Sequence, residues 1–458
     1  MIKINVVLIT LQLILLSIGA ILGYGVNNIQ GMVYTTLMLY GVAFFIVNHN
    51  KTNLVNLSTF FLIGFGLLIL GRFIGYVVYP EKYDFYELFC FDFFFSYCLT
   101  NIESINIIFF FNLSLVVFCL GYVFSVSQNF GITKPPKIID KQISKSSIKL
   151  FLTPIAYLLL IILFYNSLNT IKLALSGGYM ALYASQAEGY QTPFTLIINS
   201  TLIAILAILF TNTNQKRPII HFKIIFYLLI LLGLISILSG SRNGFIGALF
   251  VLLWYLFYDK KVPKLYYGLV TLFGLIIIAS TNYLSNLLGV RGAAVESSMR
   301  ASISDAFYSQ GGTFLIVNEA LKIDNPPLLG YLKTLLPGIQ ILFTSFGVTE
   351  RYKFDWSSNL AYKLDKILYQ EGFGLGWSVF ADLYFLAFGI LPLYLIMLFF
   401  WGKWLNILDS KQSQFIKAAS FIFVFYVFAL PRNSISPVLF TLLIYLILVS
   451  LLRMRIAK

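Results

Sequence analysis

The sequence predicts an all-α, polytopic integral membrane protein of about 12 transmembrane helices with one large loop facing away from the cytoplasm. Three observations carry that prediction. The 458-residue chain is 59% hydrophobic and only 11% charged, whereas a soluble domain carries about 25% charged residues, so a water-facing shell cannot be built. The apolar residues come in runs of roughly 20, the length that crosses a ~30 Å hydrocarbon core as helix. These runs are continuous in Leu, Ile, Phe and Val and lack the alternation of barrel strands. Every backbone polar group in lipid needs an internal partner, which leaves helices.

Taken in order, the first run covers about 5–25. It follows Lys3 and has no convincing small-residue cleavage site, so it reads as a retained span rather than a signal peptide. Further spans are expected near 31–47, 56–79, 105–126, 149–168, 193–211, 220–238, 245–258, 265–283, 376–401, 414–430 and 435–452. The chain therefore divides into spans one to nine (1–283), a large loop (284–375) and spans ten to twelve (376–458). Ninety structureless residues are improbable in a compact protein, and 297–322 reads as short helices lying on the membrane face.

Charge orients the spans. With Lys3 inside, the inner segments hold Lys51, the run Lys134 to Lys149, Lys216, Arg217, Lys223, Lys260, Lys261, Lys264, Lys403, Lys411, Lys417 and the tail Arg453 to Lys458. Nineteen basic and three acidic residues fall on that side, against 13 and 15 on the other. This is the positive-inside asymmetry, and it puts both termini in the cytoplasm. It also accounts for the net charge of +14, so nucleic acid is not implied as a partner. The only histidines, His49 and His221, lie near the inner face, which excludes histidine-based outer chemistry and an outer zinc site. No Walker motif, dinucleotide fingerprint or CxxC appears, and no cofactor or metal is proposed. Cys119 reads as intramembrane. Cys90 and Cys98 share an outer loop, and the expectation is two buried thiols, with pairing in an oxidising compartment as the alternative.

The outer segments hold the residues that can carry chemistry. Ser239-Gly240-Ser241-Arg242-Asn243-Gly244 is a minimal turn between two apolar runs. Its glycines let backbone approach a ligand, and an arginine fork suits phosphate. The bland alternative is an arginine snorkelling to lipid headgroups; four polar residues in so short a turn favour the site. Arg291 and Arg300 follow span nine and complete an anion site, unless they pair with Glu296 and Asp305. Span ten opens Gly376-Trp377-Ser378 and continues to Asp382 and Tyr384. Ser378 and Asp382 share a helix face at i, i+4, and a carboxylate inside an apolar helix is costly enough to mark a site or a structural pair. Glu319 is a second candidate general base. Arg72, late in span three, either adds charge to the same cavity or pairs with the acidic 80–104 loop.

These features resemble the O-antigen/polysaccharide repeat-unit polymerases of the Wzy type. The resemblance rests on the span layout and on three places: Gly240 to Gly244, Ser302 to Leu321, and Ser378-x-x-Ala381-Asp382-x-Tyr384-x-x-x-Phe388-Gly389. It implies a GT-C-like architecture and a bacterial inner-membrane glycosyltransferase without cofactors. Its reaction joins undecaprenyl-pyrophosphate-linked oligosaccharide repeat units into O-antigen or capsular polysaccharide at the periplasmic face. Arg242, Arg291, Arg300, Ser378 and Tyr384 would then bind substrate, with Asp382 and Glu319 catalytic. Membrane lipids, a chain-length regulator and a flippase are the implied partners. The rivals are an O-antigen ligase, which the missing outer histidine disfavours, and a lipid-linked oligosaccharide flippase, which the concentration of polar residues outside the spans disfavours.

Overall fold

The computed structural model describes residues 2–49, 54–91, 97–127, 151–187, 193–212, 220–258, 260, 299–336, 338–340, 343, 346–348, 350–410 and 413–454. Among these residues the regular elements are helices, and no strand forms. Helix α1 (Ile2–Ala20) runs on through a π turn (Ile21–Gly25) and is followed by α2 (Ile29–Asn48). The start of α2 is fixed by Asn28, whose side chain accepts from the Gly31 N–H at 2.8 Å, as an N-cap should. Asn56 caps α3 (Leu57–Leu68) in the same way, accepting from Thr59 at 2.9 Å. Asp409, from a distant helix end, accepts from Leu57 N at 2.9 Å and Ser58 Oγ at 2.7 Å. A carboxylate at a helix N-terminus also meets the positive end of its dipole.

The single span expected at 56–79 is broken. Helix α3 gives way to α4 (Gly71–Val78) across a 66° bend. Next come α5 (Asn101–Ser127), α6 (Thr153–Ala187), α7 (Pro193–Asn212), α8 (Ile220–Ile235) and α9 (Arg242–Phe257). Helix α6 outruns its expected end at 168 and kinks at Gly178, where φ is 73°. The span expected at 265–283, the lysine run 134–149 and Arg291 lie outside the described residues. The loop contributes α10 (Met299–Tyr308), α11 (Thr313–Leu321), α12 (Leu329–Leu335), α13 (Trp356–Leu364) and α14 (Lys366–Gln370). The chain ends with α15 (Val379–Leu386), α16 (Leu391–Ser410), α17 (Gln414–Val424) and α18 (Ser436–Met454). The expected span 376–401 is thus two helices, parted at Phe388 and Gly389, whose φ values are 54° and 74°.

Among the described residues seven helices are long and apolar enough to cross a membrane (α1, α2, α5, α6, α7, α8 and α16), and the bent α3–α4 pair makes eight. Helices α9 and α17 and the stretch Ser436–Leu452 are apolar but shorter. Only 17% of the most apolar stretch of α1, and of α6, is buried. Such a bare apolar face is out of place in water and in place against lipid, so the chain is a multi-pass membrane protein. Where helices meet, small residues allow close approach: a Cβ at Gly121 of α5 would strike the Phe399 carbonyl, and one at Gly402 of α16 would strike that of Phe118. Phe61, Phe65, Phe111 and Phe380 fill the space between α3, α5 and α15.

Candidate active site

The site begins with the bend after α3. Gly75 presents bare backbone to α10: a Cβ there would come within 2.8 Å of the Ser304 carbonyl, and the Ser304 hydroxyl donates to Gly75 O at 2.7 Å. Helix α10 therefore lies directly on α4, and the turn that follows it, Ser309-Gln310-Gly311-Gly312, is delivered beside Arg72. Tyr308 is clamped on both faces. Its ring stacks on Tyr83 at 4.0 Å, and the Arg72 guanidinium sits 4.9 Å from its centre. Its hydroxyl donates to Glu87 O at 3.1 Å. Tyr83 in turn donates to Asp305, which also receives Lys82 Nζ at 2.6 Å. Burial, then that carboxylate, pushes the Tyr83 hydroxyl well above the usual tyrosine range.

Arg72 is 4% exposed and donates from Nη1 to Leu88 O at 3.1 Å and Cys90 O at 2.5 Å. Those carbonyls belong to a loop whose arms pair, Phe91 N to Tyr97 O at 3.0 Å and Leu99 N to Phe89 O at 2.9 Å. The pairing sets Cys90 opposite Cys98, and the two form a disulfide. The expected pair of free thiols is corrected accordingly. Of the two alternatives for Arg72, both hold in part: it grips the 80–104 loop through carbonyls, and it faces the turn after α10.

Two more arginines reach that turn. Gly240 takes the left-handed conformation, φ 79°, and closes the 3₁₀ turn Ser236–Ser239 that follows α8, so that α9 can start at Arg242. Arg242 is 9% exposed and donates from Nη1 to Ser309 Oγ at 3.2 Å. Arg432, in the 3₁₀ turn Leu430–Arg432 between α17 and α18, donates from Nη1 to Gln310 Oε1 at 3.4 Å. Tyr308, Ser309 and Gln310 are thus each engaged by an arginine from a different part of the chain. Guanidinium forks gathered on a glycine-bearing turn suit an anion with several oxygens. Sequence reasoning missed Arg432. The available signal was Pro431-Arg432-Asn433-Ser434, a short arginine-bearing polar turn between apolar runs like that at 239–244.

The other expected site residues fall elsewhere. Arg300 is exposed in the first turn of α10, donating to Val78 O at 2.7 Å and lying 4.9 Å over Tyr79. Eight residues of helix, about 12 Å, separate it from Tyr308. Ser378 is buried as the cap of α15, accepting from Phe380 N at 3.2 Å. Tyr384 packs edge-on against Phe110 and Tyr394. Asp382 is 1% exposed. Its Oδ1 accepts from Trp377 Nε1 at 2.6 Å and its Oδ2 from Ile435 N at 2.7 Å, tying α15 to the turn that carries Arg432. Glu319 accepts from Asn318 Nδ2 at 2.9 Å and Lys322 Nζ at 2.7 Å, both on Oε1. Lys322 also pairs with Glu103 at 2.6 Å. Burial disfavours the Lys322 charge, but Glu103 and Glu319 outweigh it and raise its pKa above the lysine range.

No curated protein and no solved structure matches the chain. The family model for the O-antigen polysaccharide polymerase Wzy matches residues 7–458, every part of the arginine cluster included, and the chain belongs to that family.

Proposed function

We propose that the chain polymerises glycan repeat units carried on undecaprenyl pyrophosphate, working at the periplasmic face of the bacterial inner membrane on a GT-C-like helical frame with both termini in the cytoplasm. The observation that carries this is the convergence of Arg72, Arg242 and Arg432 on the turn Tyr308–Gln310. In the reaction a hydroxyl of the incoming unit attacks the anomeric carbon of the growing chain. The new glycosidic C–O bond forms as the bond from that carbon to pyrophosphate breaks, and the electron pair leaves with pyrophosphate. Guanidiniums aimed at that oxyanion stabilise charge where it develops. They come from span ends and loops, where charge is tolerable, and the spans keep the lipid tails beside them.

The proton of the attacking hydroxyl goes to a carboxylate. Asp382 has both oxygens committed to Trp377 and Ile435, so its role is to position Arg432. Glu319 keeps Oε2 outside its own contacts and is the better base of the two expected acids. Arg291 and Arg300 remain proposed contacts for the outer part of the substrate, as do Ser378 and Tyr384 through the helix entry they build. A chain-length regulator and a flippase are proposed partners.

The test is complementation of a deletion strain with Arg242→Ala and Arg432→Ala at normal expression. A polymerase defect leaves single capped repeat units in place of a ladder. A flippase defect depletes all surface glycan. A normal ladder from both variants refutes the site.

A further inference from the structure

Next to Arg242, among the apolar helices, lies a crevice of about 280 Å³. One face of α9 lines it, through Asn243, Gly244, Gly247, Ala248 and Val251, the i, i+1, i+4, i+5, i+8 stripe of a helix. Gly233 of α8 faces that stripe, and most of the remaining wall is apolar. Two details mark the crevice as more than a packing gap. A Cβ built on Gly247 meets nothing within 4 Å, so the bore is open at its middle. The side-chain oxygen of Asn243 is buried without a hydrogen-bond partner, at the end of the crevice where α9 begins with Arg242.

We propose that this crevice is the prenyl-chain slot of the donor or acceptor lipid, with Asn243 contacting the head group at its mouth and Gly247 setting its bore. The inference rests on the polymerase reading above. An apolar bore that ends one residue from an arginine fits a ligand with an apolar tail and an anionic head. Its volume lies just under the roughly 300–1,000 Å³ of sites that enclose a whole drug-sized ligand. It therefore takes a single chain over its first isoprene units, not the paired tails of a phospholipid. The remainder of the chain stays in the bilayer, which is as apolar as the bore; fit and head-group anchoring, rather than hydrophobic gain, select the ligand. The Asn243 oxygen is an acceptor, so its partner in the head group is a hydroxyl of the attached sugar rather than a phosphate oxygen.

The experiment uses the full chain in nanodiscs and three probes: undecaprenyl pyrophosphate, inorganic pyrophosphate and phosphatidylglycerol. Gly247→Leu should weaken undecaprenyl pyrophosphate binding about tenfold or more, the scale of overpacking a filled space, and leave inorganic pyrophosphate unchanged. Gly247→Ala should bind nearly as the wild type. Wild-type binding of the prenyl probe by Gly247→Leu overturns the proposal, and so does equal displacement by phosphatidylglycerol. Arg242→Ala should weaken both pyrophosphate probes; undiminished binding of both refutes the underlying site reading and leaves the Gly247 result to decide the crevice alone. A prenyl pyrophosphate carrying a diazirine on its first isoprene unit gives a readout on wild-type protein. Labelling within α8 and α9 supports the slot, and labelling confined elsewhere overturns it.

Discussion

Asp382→Asn replaces one oxygen in a pocket where both carboxylate oxygens already hold a donor. Oδ1 takes the Trp377 indole N–H at 2.6 Å and Oδ2 the Ile435 N–H at 2.7 Å. Asparagine keeps one acceptor, so one buried N–H must face an NH₂ group. Leaving a buried donor unsatisfied costs about 1–3 kcal/mol, and Asp382→Ala, which strands both donors, should cost about twice that. Melting shifts by about 2–4 °C per kcal/mol in domains of 150–250 residues and by less in longer chains, so the asparagine variant should melt a few degrees lower in detergent. Because Asp382 holds the turn bearing Arg432, KM for the lipid-linked substrate should rise along with any fall in kcat. Adding Asp382→Asn to Arg432→Ala should then cost little further activity, the non-additivity expected of residues acting as one unit. Refolding controls and a polymerisation assay on purified lipid-linked repeat units read all of this. The reasoning fails if Asp382→Asn melts as the wild type, loses about 10²–10⁴ in kcat as a missing general base would, and does so equally with Arg432 present or replaced.

Three further predictions concern the surrounding scaffold. Arg432→Ala should lower kcat by about 10²–10³, the loss seen on removing one oxyanion donor, and Arg432→Lys should restore little because a point charge cannot replace the fork; turnover on the same assay measures both. Opening the disulfide by Cys98→Ser frees a loop closed over a sequence separation of 8, worth about 2–3 kcal/mol on the chain-entropy scale. It should partly disable the enzyme by loosening the carbonyls that hold Arg72, and wild-type protein should gain maleimide-reactive Cys90 and Cys98 only after reduction, read as a gel shift. At Asp355 burial opposes ionisation, but Lys333 at 2.9 Å, with Ser358 and Arg351, outweighs it and lowers the carboxyl below its ordinary value. Its stabilising contribution is therefore present above the unfolded pKa near 4 and is lost as pH falls through the lower folded value. Melting between pH 5 and 3 should show that loss, and Asp355→Asn should flatten it.

The sequence disclosed most where the controlling physics is local. The runs at 31–47 and 193–211 became Ile29–Asn48 and Pro193–Asn212, because apolar length and polar caps act within a few residues. The turn at 239–244 was legible for the same reason: Gly240 supplies the left-handed residue and Arg242 follows it at once. The break in 56–79 was hidden because its cause is remote. Gly71 and Gly75 look like ordinary span glycines until α10, more than 220 residues later, packs against their bare backbone. The Cys90–Cys98 bond escaped similarly, since only the backbone pairing of Phe89 and Phe91 with Leu99 and Tyr97 sets the sulfurs face to face.

Asp382 shows what kind of inference a sequence supports at a site. The cost of a carboxylate among apolar side chains draws attention to the residue, because such a group persists only where something satisfies it. The flag does not say what does the satisfying, and two different uses give the same signal. An acid that takes protons needs an oxygen open to substrate; an acid that joins two segments needs its oxygens filled by protein. Asp382 has the second geometry, with one donor from each side of the joint between α15 and the turn before α18. Glu319 drew less attention in the sequence as one acid among several in a polar loop, yet its contacts all fall on one oxygen. The arginines follow the same logic. Arg432 sits in a connection whose sequence looks like any short turn, and what sets it apart is that Gln310, reached only through the folded loop, brings it into one cluster with Arg242 and Arg72.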